Sequence, residues 1–469
     1  MGMCPCSSAW LVVYYYRSTY SHSFLRIVYL THQYLPRHVG GTEVYTHGLA
    51  VRAQRAGHLV RVITYVESAS LDPVDYRSVA TEHEGVPVTE IHYNLSRARD
   101  PARAEYDNGQ VVELLRPVLE VAQPDLVHAL HVMKLSGAAL KLCYDDGVPV
   151  ILTLADYWFI CPRHTLLRWN QQLCAGPAHD LDCLRCEHDM HGFGSSRLRN
   201  LPAPLLQLMS SAGSTIWRDR APRFWRDLNA IRTRQNYLEE TVERADRVIA
   251  LSNFQKDMYV RNGYAPGKIQ VLHHGVETEG LEPGYRSPSG VMELVFVGSL
   301  VHHKGAHVLL QALARRPDVK VRLSIYGDAS GSNSYLDSLK QLAAGDGRVT
   351  LLGTFPVNEM GRVLAGADAL AMPALWYENE PLVVKAAQYT GLPVLASNIG
   401  TLANSIKDGV NGRLIAPGDI EAWADAIASF SPARLQPDTS IKSMDDNARE
   451  LFEIYQEVYS ARRCSAQNT

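Results

Sequence analysis

Residues 277–291 read Glu-Thr-Glu-Gly-Leu-Glu-Pro-Gly-Tyr-Arg-Ser-Pro-Ser-Gly-Val. This stretch is rich in Gly, Pro, Ser and Glu and has no hydrophobic period, which is typical of a linker between domains. On both sides of it, short β-rich runs alternate with helical patterns, and this alternation predicts parallel sheets with helices on both faces. The sequence therefore predicts an α/β protein with two doubly wound halves. Ligands of such a pair bind in a cleft between the carboxyl ends of the two sheets.

The predicted elements follow from hydrophobic patterns. Predicted strands cover residues 27–30, 59–64, 125–130, 148–154, 247–251 and 269–273 of the first half, and 293–297, 319–326, 349–352, 369–372 and 393–396 of the second half. Predicted helices cover residues 44–56, 110–121, 306–314, 335–344, 359–365, 382–389 and 444–459. Thr42 is the expected N-cap of the first helix.

Length and charge exclude several classes of protein. The chain has 469 residues, which corresponds to roughly three typical domains. Its 46 Lys and Arg residues nearly balance its 49 Asp and Glu residues, which argues against a nucleic-acid-binding protein. No apolar run approaches the roughly 20 residues of a membrane span, and no secretory signal is apparent. We therefore expect a cytoplasmic protein with reduced cysteines, in which residues 1–24 form an unstructured extension.

Two glycine-containing loops are placed to bind anions at the predicted cleft. Gly40 and Gly41 precede a helix, where unpaired backbone N–H groups attract anions. Their spacing is not the Gly-x-Gly-x-x-Gly dinucleotide pattern, which argues against a nicotinamide enzyme. Gly298, Ser299 and Lys304 follow the first strand of the second half, so that the lysine can reach a phosphate at the helix start. The alternatives are a tight turn at the first loop and a solvated lysine at the second.

A third loop adds a carboxylate to this set. Glu378 lies between a predicted strand and a predicted helix, where it can accept hydrogen bonds from sugar hydroxyls. Pro381 precedes that helix, and the free N–H groups of Leu382 and Val383 can hold a diphosphate. The alternative is a proline-initiated helix with a surface glutamate.

Taken together, these segments resemble the retaining glycosyltransferases of the GT-B fold, often called glycosyltransferase group 1, with glycosyltransferase family four among them. The likeness lies in residues 35–45, 249–256, 298–305 and 373–397, with further support from residues 274–276 and 408–412. Each motif is weak alone, but together they are specific.

The resemblance implies two Rossmann-like domains that face each other across a cleft. Residues 25–276 would form the acceptor-side domain, with a cysteine-bearing insertion at 157–230. Residues 292–435 would form the donor-side domain. A helix at 440–463 would cross back to the first domain.

The resemblance also implies a reaction and the residues that carry it. The reaction is transfer of a sugar from a nucleotide diphosphate sugar to a glycan, lipid-linked or small-molecule acceptor, as in polysaccharide biosynthesis, without a metal cofactor. In the family, the residues matching Gly40, Gly41 and Lys304 face the diphosphate, and the residue matching Glu378 lies near the donor sugar. Fixed N–H groups and a lysine would stabilise the charge on the departing diphosphate. Asp156 is expected to orient groups near the reacting centre.

Four positions depart from the family pattern. Ala386 replaces a glutamate usually assigned to the donor ribose, Ser299 an arginine, Ala155 the histidine of a His-Asp pair, and Asn404 the glutamate of a late turn. A lost hydrogen bond to ribose costs about 0.5–1.5 kcal/mol of donor binding. Two alternatives therefore stay open. One is a catalytically weak GT-B protein that binds a sugar nucleotide or a partner transferase, and the other is a sugar-nucleotide epimerase.

Four cysteines form a possible metal site. Cys161, Cys174, Cys183 and Cys186 lie within 26 residues, and the Cys-x-x-Cys spacing suits one corner of a structural zinc site. The alternative is a set of unlinked loop thiols.

An arginine-rich segment at residues 217–231 allows two interpretations. It contains Arg218, Arg220, Arg223, Arg226, Phe224, Trp225 and Leu228. One interpretation is an interfacial helix that meets a membrane carrying a lipid-linked acceptor. The other is a helix that docks Phe224, Leu228 and Ile231 into the first domain, and the spacing favours it.

Overall fold

The computed structural model describes residues 24–191, 223–283, 290–329 and 333–467, except positions 71, 73, 178 and 432. The predicted extension at 1–24, apart from Phe24, lies outside the described residues. So do residues 192–222 of the predicted insertion, which include Arg218 and Arg220, and residues 284–289 of the predicted linker.

The first sheet has eight strands in the order β3-β4-β2-β1-β5-β6-β7-β8. They are β1 Arg26–Thr31, β2 Leu59–Glu67, β3 Arg77–His83, β4 Val86–Tyr93, β5 Leu126–Ala129, β6 Val150–Leu154, β7 Arg247–Ala250 and β8 Ile269–Val271. All neighbours pair in parallel except β3 and β4. The central strands β5 and β6 are buried at every position, as expected for a parallel sheet covered on both faces.

The second sheet has six parallel strands in the order β11-β10-β9-β12-β13-β14. They are β9 Met292–Val297, β10 Val321–Tyr326, β11 Val349–Gly353, β12 Ala369–Met372, β13 Val394–Ser397 and β14 Gly412–Ile415. The prediction of two doubly wound halves is confirmed. The hairpin β3–β4 and strand β14 were not predicted.

Helices cover both faces of the sheets. Those of the first half are α1 Gly41–Arg55, α2 Pro101–Ala104, α3 Gly109–Ala122, α4 Gly137–Asp145, α5 Asp180–His191, α6 Arg223–Glu243 and α7 Asn253–Arg261. Those that follow are α8 Ala306–Arg315, α9 Asn333–Ala343, α10 Met360–Ala365, α11 Leu382–Tyr389, α12 Gly400–Ser405, α13 Ile420–Ser429 and α14 Met444–Gln467. Among the described residues, none of these helices is long and apolar enough to cross a membrane.

The start of α1 corrects one prediction. The helix begins at Gly41, and its N-cap is Gly40, which makes no side-chain capping bond. Thr42 is therefore inside the helix, where its carbonyl accepts a hydrogen bond from the Thr46 hydroxyl at 2.6 Å. The expected Thr42 cap is wrong, and the first N–H groups of α1 have no side-chain cap.

The last helix packs on the first sheet. Its buried residues Met444, Leu451 and Tyr455 share a core cluster with the strands β1, β2 and β5. The Tyr455 hydroxyl lies 2.6 Å from Nδ1 of His128 on β5. The chain therefore passes between the two halves twice, once after β8 and once before α14.

These two passages touch each other. The Val276 N–H donates to the carbonyl of Lys442 at 3.0 Å, and the Met444 N–H donates to the carbonyl of Val276 at 2.8 Å. Arg52, near the end of α1, holds both passages through Glu277 at 2.7 Å and Asp445 at 2.6 Å.

Candidate functional site

The strand order reverses between β1 and β5 in the first sheet and between β9 and β12 in the second. In doubly wound sheets, ligands bind outside the carboxyl ends of the strands at such points. Here the loops after all four strands meet at one cavity of about 410 Å³. The predicted site residues that line it are Gly40, Gly41, Asp156, Ser299, Lys304, Glu378, Pro381, Leu382 and Val383. The structure thus brings together every residue predicted to bind donor or to act in catalysis.

An ion pair joins two of these residues. Lys304 Nζ lies 2.7 and 3.0 Å from the two carboxylate oxygens of Glu378. The indole N–H of Trp376 donates to the same carboxylate at 2.7 Å, and Lys304 Nζ also lies 5.0 Å from the centre of the Trp376 ring. Glu378 is buried and Lys304 is largely buried in an ion pair with it, so the alternatives of a surface glutamate and a solvated lysine are wrong.

Glycine is required where the lysine loop passes the glutamate loop. Gly305 has a φ of +80°, and a Cβ there would lie 1.9 Å from the carbonyl oxygen of Pro373. The Leu375 N–H donates to the carbonyl of His303 at 2.8 Å, which ties the two loops together. This close approach holds Lys304 against Glu378.

The first glycine loop faces the second half across the cavity. A Cβ at Gly41 would lie 3.9 Å from Cδ1 of Leu382, the first residue of α11. Neither α1 nor α11 has a side-chain cap. Two helix N-termini, each able to attract an anion, therefore lie at the same cavity.

Asp156 is fixed by a histidine that the sequence analysis did not single out. Its carboxylate lies 2.7 Å from Nε2 of His131 and accepts the backbone N–H of Trp158 at 2.8 Å. Burial opposes ionisation of Asp156, but the nearby His131 lowers the pKa of this carboxyl below its ordinary value. His131 Nδ1 accepts the N–H of Met133 at 3.1 Å, so both ring nitrogens are engaged. The position of His131 just after the buried strand β5 was the sequence feature that could have indicated its place in the site.

His32 and Glu43 form a second pair of side chains, next to the first glycine loop. His32 follows β1 and lines the cavity. Its ring centre is 4.0 Å from that of His131, and its Nε2 is 3.9 Å from the Glu43 carboxylate. A Cβ at Gly40 would lie 2.4 Å from the other oxygen of Glu43, so a larger residue there would require the end of the Glu43 side chain to shift. Neither His32 nor Glu43 was predicted.

A third buried carboxylate supports the cavity wall. Glu380 lies 2.8 Å from Nζ of Lys385, 2.5 Å from Nδ1 of His273 and 2.6 Å from the N–H of His274. Burial raises the pKa of Glu380, but His273 and Lys385 outweigh burial and lower it overall. These contacts join the start of α11 to the end of β8.

The four clustered cysteines come together in the structure. Cys161, Cys174, Cys183 and Cys186 line one small cavity of about 20 Å³, and none forms a disulfide. Burial raises the pKa of Cys161 to about 12 and also raises that of Cys186. No three of the four sulfur atoms lie within 4.8 Å of one another among the described residues. A zinc ion with zinc–sulfur bonds of about 2.3 Å would need the sulfur atoms to lie closer together than they do here. The structural zinc therefore stays a prediction.

A different trio has donor atoms within 4.8 Å of one another, namely His47, His83 and Glu84. His47 Nε2 lies 3.0 Å from Glu84, and its Nδ1 lies 2.8 Å from the Tyr34 hydroxyl. None of the three lines the cavity at the strand ends.

The described part of the arginine-rich segment packs inside the first half. Leu228 and Ile231 of α6 are buried against Leu184 of α5, with Phe224 beside them. This is the docking predicted by the spacing. Contact with a membrane stays a prediction.

Comparisons with known sequences place the chain among glycosyltransferases. Residues 39–279 match the family model described as Glycosyltransferase Family 4, and residues 281–450 match the model described as Glycosyl transferases group 1. A D-inositol 3-phosphate glycosyltransferase from Nocardioides sp. is 28% identical over 83% of this chain and 77% of its own length. One from Mycobacterium sp. (strain KMS) is 33% identical over 42% of this chain and about half of its own length.

Solved structures match the whole arrangement of the two halves. Sucrose-phosphate synthase from Thermosynechococcus elongatus has a TM-score of 0.58 at 17% identity and covers 93% of this chain and 99% of its own. Anabaena Alr3699/HepE, in complex with UDP and glucose, has a TM-score of 0.56 at 19% identity and covers 95% and 99%. These matches confirm the predicted GT-B fold.

Proposed function

The chain belongs to Glycosyltransferase Family 4, and from this we propose that it moves a sugar from a nucleotide diphosphate sugar to an acceptor with retention of anomeric configuration. The observation that carries the proposal is the Lys304–Glu378 pair inside the cavity. A cation beside helix N-termini suits a diphosphate, and a buried carboxylate suits sugar hydroxyls. Together they match the two ends of such a donor.

In the proposed reaction, the bond between the anomeric carbon and the diphosphate oxygen breaks. The acceptor oxygen bonds to the same face of that carbon, and its proton passes to the departing diphosphate. Lys304 and the first N–H groups of α1 and α11 stabilise the negative charge that develops there. This scheme needs no protein nucleophile.

Two carboxylates would take different parts in this reaction. Glu378, held in place by Lys304 and Trp376, would position hydroxyls of the donor sugar. Asp156 would hold the His131 ring against the reacting centre through their 2.7 Å contact. Glu378 therefore acts on the donor side and Asp156 on the acceptor side.

We propose further that Lys304 supplies the charge compensation and that the protein holds no catalytic metal. Addition of EDTA should then leave the rate of transfer unchanged within about twofold. A rate that falls by a factor of ten and returns with Mg²⁺ would contradict this part of the proposal.

The donor is best found by thermal shift with UDP-glucose, UDP-N-acetylglucosamine, GDP-mannose and ADP-glucose. UDP-glucose comes first because Alr3699/HepE has been solved in complex with it. The true donor should raise the melting temperature of the wild type and of Lys320→Ala, which changes an exposed lysine far from the cavity. It should not do so for Lys304→Ala. NMR coupling of the product's anomeric proton then reports retention or inversion.

Ser299 and Ala386 favour a second candidate, because both line the cavity and lack the charged groups of the family pattern. A protein that only binds a sugar nucleotide would show a thermal shift and release no sugar. Isomerised donor would indicate an epimerase, and released or transferred sugar supports the proposed function. A cytoplasmic location stays a prediction.

A further inference from the structure

We propose that His32 contacts a hydroxyl group of the acceptor through its Nδ1 atom, and that Glu43 decides whether this nitrogen offers a proton or a lone pair. The inference rests on the proposed function, because it concerns the acceptor of the same transfer. It concerns two residues to which the sequence analysis assigned no role.

The first observation is an unsatisfied nitrogen at the cavity. His32 lines the cavity, and its Nδ1 is buried without a hydrogen-bond partner among the described residues. A buried polar atom without a partner destabilises the site, so a ligand group that satisfies it would bind favourably. The neighbouring His131 ring has both nitrogens engaged. Of these two packed rings, His32 is the one with a nitrogen to offer.

The second observation is the carboxyl group on the other side of the ring. Glu43 lies 3.9 Å from His32 Nε2, and a shift of about 1 Å would make this a hydrogen bond. The second carboxyl oxygen of Glu43 fills the space above Gly40, where a Cβ would lie 2.4 Å away. Glu43 therefore lies between the glycine loop and the histidine, on the Nε2 side of the His32 ring.

The ionisation of Glu43 sets the tautomer of His32. Burial raises the pKa of Glu43 to about 7, and burial lowers the pKa of His32 well below its ordinary value, so the imidazole stays neutral. Above pH 7 the carboxylate accepts the Nε2–H, which leaves a lone pair on Nδ1. Below pH 7 the protonated carboxyl donates to Nε2, and the imidazole proton moves to Nδ1. Nδ1 thus accepts a hydrogen bond at high pH and donates one at low pH.

Other titratable groups surround the pair. Those that act on His32 or Glu43 are His131, His164, Lys134 and His38, with Asp156 behind His131. Burial lowers the pKa of His38, His164 and Lys134. The test must therefore identify Glu43 as the group that titrates.

NMR of the full chain with ¹⁵N-labelled histidine tests the tautomer directly. His32→Asn assigns the signals of His32 by their loss. In the wild type, Nδ1 should change from a protonated to an unprotonated nitrogen as the pH rises through about 7. In Glu43→Gln, which cannot ionise, this change should be absent. A single tautomer at every pH, or the same transition in Glu43→Gln, would overturn the role of Glu43.

Kinetics test the contact with the acceptor. The probe is glycerol, a simple polyol, with a donor that stabilises the protein; the readout is release of nucleoside diphosphate. His32→Ala should raise the KM for glycerol about tenfold and leave the KM for the donor unchanged, since one hydrogen bond is lost. His32→Asn, whose amide can both donate and accept, should recover part of the loss.

The outcomes separate this inference from the proposed function. If a donor binds and its diphosphate is released, but His32→Ala keeps the wild-type KM for glycerol, the role of His32 is wrong and the function stands. If the KM for the donor rises equally, His32 has only a structural role. If no sugar nucleotide binds or reacts, the proposed function fails, and the NMR result still decides the tautomer.

Discussion

The two halves of the molecule both reach the cavity through loops at the point where their strand order reverses, but they present different groups. The first half offers the neutral ring of His32, the first N–H groups of α1, and the Asp156–His131 pair. The second half offers the Lys304–Glu378 ion pair, in the loops after β9 and β12, where its own strand order reverses. Topology therefore decides where the loops meet, and loop sequence decides their chemistry. In the proposed reaction, Lys304 and α11 of the second half would compensate most of the diphosphate charge with help from α1, and His32 and Asp156 of the first half would face the acceptor.

The largest effect that would test this division is loss of the lysine. Among the described residues that line the cavity, Lys304 is the sole Lys or Arg. Lys304→Ala should lower kcat/KM by about 10²–10³, because charge on the departing diphosphate loses its main partner and Glu378 loses its cation. Steady-state kinetics with Lys320→Ala as the control measure this. A loss of less than threefold would show that the charge is compensated elsewhere.

Replacing a glycine by alanine should lower the free energy of unfolding by different amounts in the two loops. In Gly305→Ala, the new Cβ meets the backbone oxygen of Pro373 at 1.9 Å and the residue keeps a positive φ, so we expect a loss of about 2–4 kcal/mol. In Gly40→Ala, the obstacle is the end of the Glu43 side chain, and we expect about 1 kcal/mol.

Urea unfolding measures both glycine variants. Gly109→Ala is the matched control, because a Cβ there meets nothing within 4 Å and its φ is not positive. Equal losses in Gly305→Ala and Gly40→Ala would contradict the idea that the second loop is the more rigidly built.

A zinc ion at the four cysteines would stabilise the first half of the molecule. If the four sulfurs close around such an ion, metal analysis of the full chain should find one zinc per molecule. The double change of Cys183→Ser and Cys186→Ser should remove it and lower the melting temperature by several degrees, because metal binding stabilises the folded state. Cys464→Ser, at an exposed position, is the control.

In this metal-free variant the thermal shift by the donor should persist, because the ligand cavity is separate from the thiols. Purified wild type without zinc, after preparation in the absence of chelators, would exclude the prediction.

The smallest effect concerns Ala386, which is buried beside the cavity on α11. Ala386→Glu restores the residue of the family pattern, and one added hydrogen bond of about 0.5–1.5 kcal/mol should tighten donor binding about twofold to twelvefold. Calorimetry measures the Kd, with Ala386→Met as a control of similar size. Equal tightening in both variants would assign the effect to packing and not to a carboxylate.

Much of this site could be predicted because its residues directly follow strands. Gly40, Lys304 and Glu378 each lie in a loop after a short buried run, and parallel sheets bring such loops to one edge. The sequence could not tell that Lys304 and Glu378 pair with each other, because the contact depends on β9 and β12 being neighbours. The contact between His131 and Asp156 could not be predicted either, because it depends on β5 and β6 being neighbours.

Other elements and contacts could not be predicted because the local sequence carries no pattern that indicates them. The edge strand β3 is exposed at most positions, so it has no alternation of apolar residues to detect. The pairing of Glu380 with Lys385 spans the start of α11, where the glutamate precedes the helix and ordinary helical spacing does not apply. Such polar contacts depend on the packed structure and not on the local sequence.

The double passage of the chain has a mechanical consequence. Because the passages at Val276 and Lys442–Met444 are hydrogen-bonded to each other, the two connections between the halves lie side by side, which restrains twisting of one half against the other. Arg52 of α1 pairs with Glu277 and Asp445 in the two passages, and the same helix begins at Gly41 beside the cavity. Helix α1 therefore connects this doubled link between the halves directly to the glycine loop at the cavity.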